Sequence, residues 1–226
     1  MPYDGGMLVL LAALLSAPHP SLLPIEDRPD LPRVLLIGDS ISIGYTLPVR
    51  AALADEANVH RPPVNCGPTT RGLEMLDAWL ASGSGEWDVI HFNFGLHDLK
   101  YVDESNRNTT VEEGRYQVPP DEYRRNLEAI VERLQKTGAT LIWRNTTPVP
   151  EGAASRVPGD AAKYNAVAAE VMKAAGIGTH DLFTFAKQRE ADIQRPANVH
   201  YTAEGSAELG REVARIIREA LAKRAE

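Results

Sequence analysis

After Arg33 the chain alternates short apolar runs of strand length with longer stretches of helical periodicity, a pattern that restricts it to a parallel sheet joined by crossover helices. Val34 to Ile37 is a continuous apolar run, and Ala51 to Ala54 lies in the helix that follows. Val59 to Val64 is a weaker, Pro-containing extended stretch, and Leu73, Leu76, Trp79 and Leu80 then recur at helical spacing. Val89 to Phe92 reads as a buried strand ending near Gly95, and Tyr123, Leu127, Ile130, Val131 and Leu134 form a helix face closed by Gly138. Thr140 to Trp143 is the next strand, Tyr164 to Met172 the next helix, and Ile177 to Leu182 the last short strand. Leu209, Val213, Ile216, Ile217 and Leu221 mark a carboxyl-terminal helix.

A length of 226 residues, 43% hydrophobic, suits one buried core better than two. The net charge of −7 and the lack of a basic stripe interleaved with aromatics argue against nucleic acid as a partner. Cys66 is the only cysteine, which excludes an intramolecular disulfide and a thiolate metal cluster. Residues 1–32 read as a secretory signal followed by a Pro-rich spacer, with the domain proper at 33–226. The signal reading rests on the apolar stretch Met7 to Ala17, too short to span a bilayer, so no stable membrane insertion is expected. It implies a secreted or periplasmic protein. Against it, Asp4 rather than a basic residue precedes the stretch and Pro18 follows it, which leaves a buried amino-terminal helix or a mis-assigned start, and a cytoplasmic protein, as the alternative. Tyr101 to Pro120 is polar, aperiodic and long for a connection, and is either a substrate-facing loop, which is favoured, or a floppy insertion; Pro148 to Gly159 is a second candidate rim loop.

The first apolar run stops at Gly38-Asp39-Ser40, where helical periodicity begins. That junction lies at a strand's carboxyl end, where open α/β sheets bind ligands. Gly-Asp-Ser is also ordinary helix-capping chemistry. Ser40 is the candidate nucleophile because the chain also offers His200, in a loop before the last helix, and His97, just after the Val89 strand. A hydroxyl, an imidazole and N–H donors for an oxyanion are what ester chemistry requires. His60 and His91 fit packing or surface positions, and His180-Asp181 either neighbours the site or closes a turn. Metal-binding motifs, Gly-x-Gly-x-x-Gly and the Walker lysine motif are all lacking, so neither a metal nor a cofactor is expected.

Four blocks in order, Gly38-Asp39-Ser40, Asn65 to Gly72, Gly95-Leu96-His97-Asp98 and Val199-His200-Tyr201-Thr202 with Gly205, resemble those of the SGNH, or GDSL, hydrolase superfamily. The resemblance implies a single-domain, three-layer α/β/α sandwich with a mostly parallel, flavodoxin-like sheet of about five strands. It further implies a serine esterase with Ser40 as nucleophile, His200 as general base and acid, and an oxyanion hole of Ser40, Gly67 and His97, with Gly72 as the fallback for Gly67. Asp39 and Asp98 would order the loops. The implied substrate is a short-chain, acetyl-type ester on a small molecule or glycan. An acyltransferase on the same site, or a non-catalytic carbohydrate-binding protein, is the alternative, and nothing indicates an oligomeric state.

The chain departs from the family pattern twice. His97 stands where the family has an oxyanion-hole Asn; its imidazole can donate one hydrogen bond, or it merely caps and packs. Ala197 stands where the family commonly has the triad Asp, three residues before the histidine. Asn198 is a candidate supporting residue, but it is neutral and cannot stabilise an imidazolium as a carboxylate does. Three solutions remain: a Ser-His dyad oriented by a backbone carbonyl, which is favoured; a carboxylate from elsewhere, such as Asp192; or a degenerate site.

Overall fold

The computed structural model describes residues 18–83 and 85–224, so the Met7 to Ala17 stretch lies outside the described residues. Five parallel strands form the central sheet: β1 (Arg33–Ile37), β2 (Asn58–His60), β3 (Val89–Phe92), β6 (Thr140–Arg144) and β7 (Gly178–His180), in the order β2-β1-β3-β6-β7. β1 and β3 are buried along their whole length, as expected of strands covered on both faces. Helices α1 (Ser40–Ala52) and α7 (Ala203–Arg224) pack together on one face. α2 (Thr69–Leu80), α3 (Pro120–Gln135) and α4 (Asp160–Ala175) pack in succession on the other. The result is the single-domain α/β/α sandwich with a flavodoxin-like strand order. Because β2 lies on one side of β1 and β3 on the other, the chain reverses direction between them and opens a crevice beyond their carboxyl ends. Among the described residues no helix is long and apolar enough to cross a membrane.

Several local expectations are corrected. The first helix runs from Ser40 and stops at Ala52, with Leu53 as its C-cap, so Ala54 lies beyond it. The extended stretch from Val59 contributes only as far as His60 to the sheet, where prolines at 62 and 63 deny it further ladder donors. The last strand is shorter than Ile177 to Leu182, because the Asp181 side chain accepts from Thr184 N–H and starts α5 (Leu182–Lys187). The Tyr101 to Pro120 segment contains a small antiparallel ribbon, β4 (Tyr101–Val102) with β5 (Arg115–Tyr116). It is pinned to α4 by Tyr116 donating to Asp160 and by Tyr164 donating to the Val118 carbonyl. Residues 18–32, read as a spacer, pack on the domain: Ser21 is buried, the Asn58 amide donates to the Arg28 and Leu31 carbonyls, and Arg33 pairs with Asp27.

Candidate active site

At the β1–α1 junction the two readings of Gly-Asp-Ser fall on different residues. Asp39 is the helix cap: it is buried, and its Oδ1 accepts from the Ile41 N–H at 3.0 Å. The buried Arg144 guanidinium lies 3.7 Å from the same oxygen and compensates its charge. Ser40 begins the helix and its hydroxyl is left free for another partner. Ser40 Oγ lies 2.9 Å from His200 Nε2.

The geometry around His200 gives Asn198, only a candidate supporting residue from the sequence, a defined place against the imidazole. Asn198 Oδ1 is 2.7 Å from His200 Nδ1 and accepts from the His200 backbone N–H at 2.9 Å. A backbone N–H can only donate, so the amide atom facing His200 is the oxygen, and Nδ1 must carry the ring proton. Nε2 therefore presents its lone pair to the Ser40 hydroxyl. The Nδ1 acceptor is thus a side-chain amide and not the backbone carbonyl favoured from sequence. The signal was available, since an Asn two residues ahead commonly bonds the backbone N–H at i+2. Asp192, in α6 (Glu190–Ile193), is exposed and makes no hydrogen bond to His200. Ala197 adopts a left-handed φ of 50°, and its Cβ lies against Gly152.

Burial lowers the His200 pKa below the ordinary 6.5, Asp39 opposes that shift, and the positive charges of Arg156 and Arg195 add to it. His97, on the loop after β3, feels the same Asp39 field and that of His200. Burial brings its pKa down to about 4, so at neutral pH it is an uncharged imidazole with one N–H to donate.

Gly67 sits in a turn with a φ of 67°, a backbone that L side chains rarely adopt. Its N–H donates to Asn65 Oδ1 at 2.9 Å, so this donor is occupied in the structure. Gly72 has a packing role within α2: a Cβ there would lie 2.7 Å from the Phe94 ring and 2.9 Å from Ile130 Cδ1. Asp98 ties the two loops together, because its Oδ1 accepts from the Thr69 N–H at 2.8 Å and the Thr69 hydroxyl at 2.5 Å. Pro68, at the N-cap of α2, makes no capping bond of its own, so Asp98 caps this helix from across the crevice. His60 pairs with Asp27, and His91 and His180 bond each other at 3.1 Å in the interior, all apart from Ser40. Burial pushes the Cys66 thiol up to about 11, so it is inert at neutral pH.

Ser40 and His200 open into a cleft of about 430 Å³ that runs along α1 past Ile43, Gly44 and Leu47 and is bordered by Arg195. A larger cleft of about 590 Å³ lies between the start of β6 and β7 and the ends of α3, α4 and α7, and holds neither residue. Among the described residues no group of His, Cys, Asp and Glu is arranged to hold a metal ion.

Comparisons with known proteins agree on the architecture. Residues 36–208 match the model of the GDSL-like Lipase/Acylhydrolase family. Among solved structures, a lipase/acylhydrolase from Enterococcus faecalis superposes with a TM-score of 0.67 at 20% identity, over 84% of this chain and 96% of that one. Axe2, an acetylxylan esterase from Geobacillus stearothermophilus, gives 0.63 at 16% identity, over 82% and 94%. The psychrotrophic esterase EstA from Pseudoalteromonas gives 0.60 at 15% identity, over 84% and 98%. No curated protein matches by sequence.

Proposed function

Because the chain belongs to the GDSL-like lipase/acylhydrolase family, we propose that it hydrolyses short-chain carboxylic esters, acetyl esters of carbohydrates above all, through an acyl-enzyme on Ser40. The observation that carries this reading is the relay from Asn198 Oδ1 through His200 to Ser40 Oγ, with contacts of 2.7 and 2.9 Å. His200 Nε2 takes the Ser40 proton as Oγ bonds to the ester carbonyl. The Ser40 N–H and the neutral His97 imidazole face the oxyanion, and Gly67 N–H joins them by exchanging Asn65 Oδ1 for it. The imidazolium then returns its proton to the departing alcohol oxygen as the C–O bond breaks. Water, deprotonated by His200, releases the acid and restores Ser40. Asn198 holds the tautomer throughout, and the Asp39 carboxylate, which does not touch His200, supplies through space part of the stabilisation a triad acid would give.

Acetyl carbohydrate esters are favoured because acetylxylan esterases share the fold, and a substrate outside the cytoplasm is favoured by the Met7 to Ala17 stretch. Turnover of p-nitrophenyl acetate by wild type, with a loss of about 10³-fold or more in both Ser40→Ala and His200→Ala, is the expected outcome. Wild-type rates in Ser40→Ala would contradict the mechanism. Rapid turnover of long-chain esters with none of acetyl esters would contradict the chain-length preference.

A further inference from the structure

Cationic side chains stand near both imidazoles of the site in a chain whose net charge is −7: Arg195 at the cleft beside His200, and Arg156 bonded next to His97. Arg195 borders the cleft that holds Ser40 and His200, and its guanidinium makes neither a hydrogen bond nor an ion pair among the described residues. Arg156 is half-buried on the Pro148 to Gly159 rim loop. Its Nε donates to the Leu96 carbonyl at 2.9 Å, next to His97, and the loop is fixed by the Tyr101 N–H bonded to the Ser155 carbonyl at 2.8 Å. Among the described residues Arg156 meets no carboxylate within ion-pair distance, and neither does Lys100, which is half-buried and close enough to be repelled by it. Arginines without an ion pair among the described residues occur elsewhere too, Arg71, Arg115, Arg125 and Arg211 among them, so it is the position of Arg156 and Arg195, next to His97 and at the cleft of His200, that bears on the site. Glu151 and Asp192 border the groove on the far side of Arg195 without pairing with it.

Like charges held together without a counter-ion repel, and here they surround a base that must itself become positive during the reaction. The fields of Arg156 and Arg195 both oppose protonation of His200, and those of Arg156 and Lys100 oppose protonation of His97. The carboxylate whose field reaches both imidazoles is Asp39, which is buried and already faces Arg144. A negative group on the substrate relieves this repulsion and restores the basicity of His200 at the moment of attack.

We infer that the preferred ester carries a carboxylate close to its scissile carbonyl, held at the cleft mouth by Arg156 and Arg195 with Lys100 behind them. This inference rests on the esterase reading above for its chemistry, and it adds the charge of the substrate.

Matched small esters test it. At low ionic strength 4-acetoxybenzoate should exceed its methyl ester in kcat/KM by about tenfold, or 4-nitrophenyl hemisuccinate should exceed 4-nitrophenyl butyrate by as much, and the pair that responds tells whether the alcohol or the acyl side bears the charge. Arg195→Gln and Arg156→Gln, which each remove the positive charge, should each shrink that ratio severalfold, and 0.5 M NaCl should do the same because the contact is partly exposed. Arg195 is the safer substitution, since its side chain bonds no other part of the structure among the described residues. Calorimetric binding of 4-acetoxybenzoate and its methyl ester to Ser40→Ala separates the two readings. Arg195-dependent preference for the anion there supports the charge inference even if the wild type hydrolyses nothing, an outcome that would sink only the esterase reading. Ratios within about twofold of unity in turnover and binding, or a preference that survives both substitutions, overturn it.

Discussion

Asn198 decides the tautomer of His200 while leaving the relay without a carboxylate, and that combination is directly testable. Asn198→Asp keeps an acceptor at Nδ1 and adds a negative charge, so it raises the His200 pKa. The acid limb of the kcat/KM profile for p-nitrophenyl acetate, expected below pH 6.5 in the wild type, should move up by about one pH unit in the variant. An unmoved limb would mean that His200 is not the group being titrated. Ala197→Asp, in contrast, should restore nothing, because that Cβ points at Gly152 from a left-handed backbone. His97→Ala should lower kcat by about 10²-fold if its N–H meets the oxyanion. A loss within about threefold would reduce His97 to a packing residue.

At the scale of elements, the site depends on two helix starts that are capped in different ways. α1 is capped by its own Asp39, whereas α2 is capped by Asp98 from the loop after β3. Asp98→Ala should therefore cost about 1–3 kcal/mol of stability and loosen the Gly67 turn along with it, read as a lower Tm and a higher KM together. Gly72→Ala should destabilise by a similar 1–3 kcal/mol through overpacking against Phe94 and Ile130, without the change in KM. The strands and most helices were legible because their apolar periodicity reflects burial on the faces they cover, as in β1, β3 and α3. The joins were less legible. The end of β7 was set by the Asp181 cap, and the Tyr101 to Pro120 segment was ordered by Tyr116 and Tyr164, contacts made between distant residues that no local period records. Placing Ser40 and His200 together followed from the order of motifs, but the Asn65 bond to Gly67 and the approach of Arg156 depend on loop conformation.

For the whole molecule, the buried histidines set the response of stability to acid. Burial brings the pKa of His97 and His180 down to about 4 and that of His91 well below its ordinary value. The unfolded chain thus binds more protons than the folded one between pH 6.5 and 4, and stability is lost as pH falls through that window. Asp98 acts in the opposite sense, since burial pushes its pKa up to about 7 and its contribution fades as pH rises from 3.8 to 7. Three histidines outweigh one aspartate, so Tm should drop by at least about 5 °C between pH 6.5 and 4.5. A flat Tm over that range would contradict the burial of these imidazoles.

The central claim is that Ser40 is a nucleophile activated by His200, and intact-mass analysis after treatment with a fluorophosphonate probe tests it most directly. A single adduct on the wild type, absent in Ser40→Ala and strongly slowed in His200→Ala, is the predicted result. A folded wild-type protein that takes no adduct, or a Ser40→Ala variant that labels as fast as the wild type, would contradict the account.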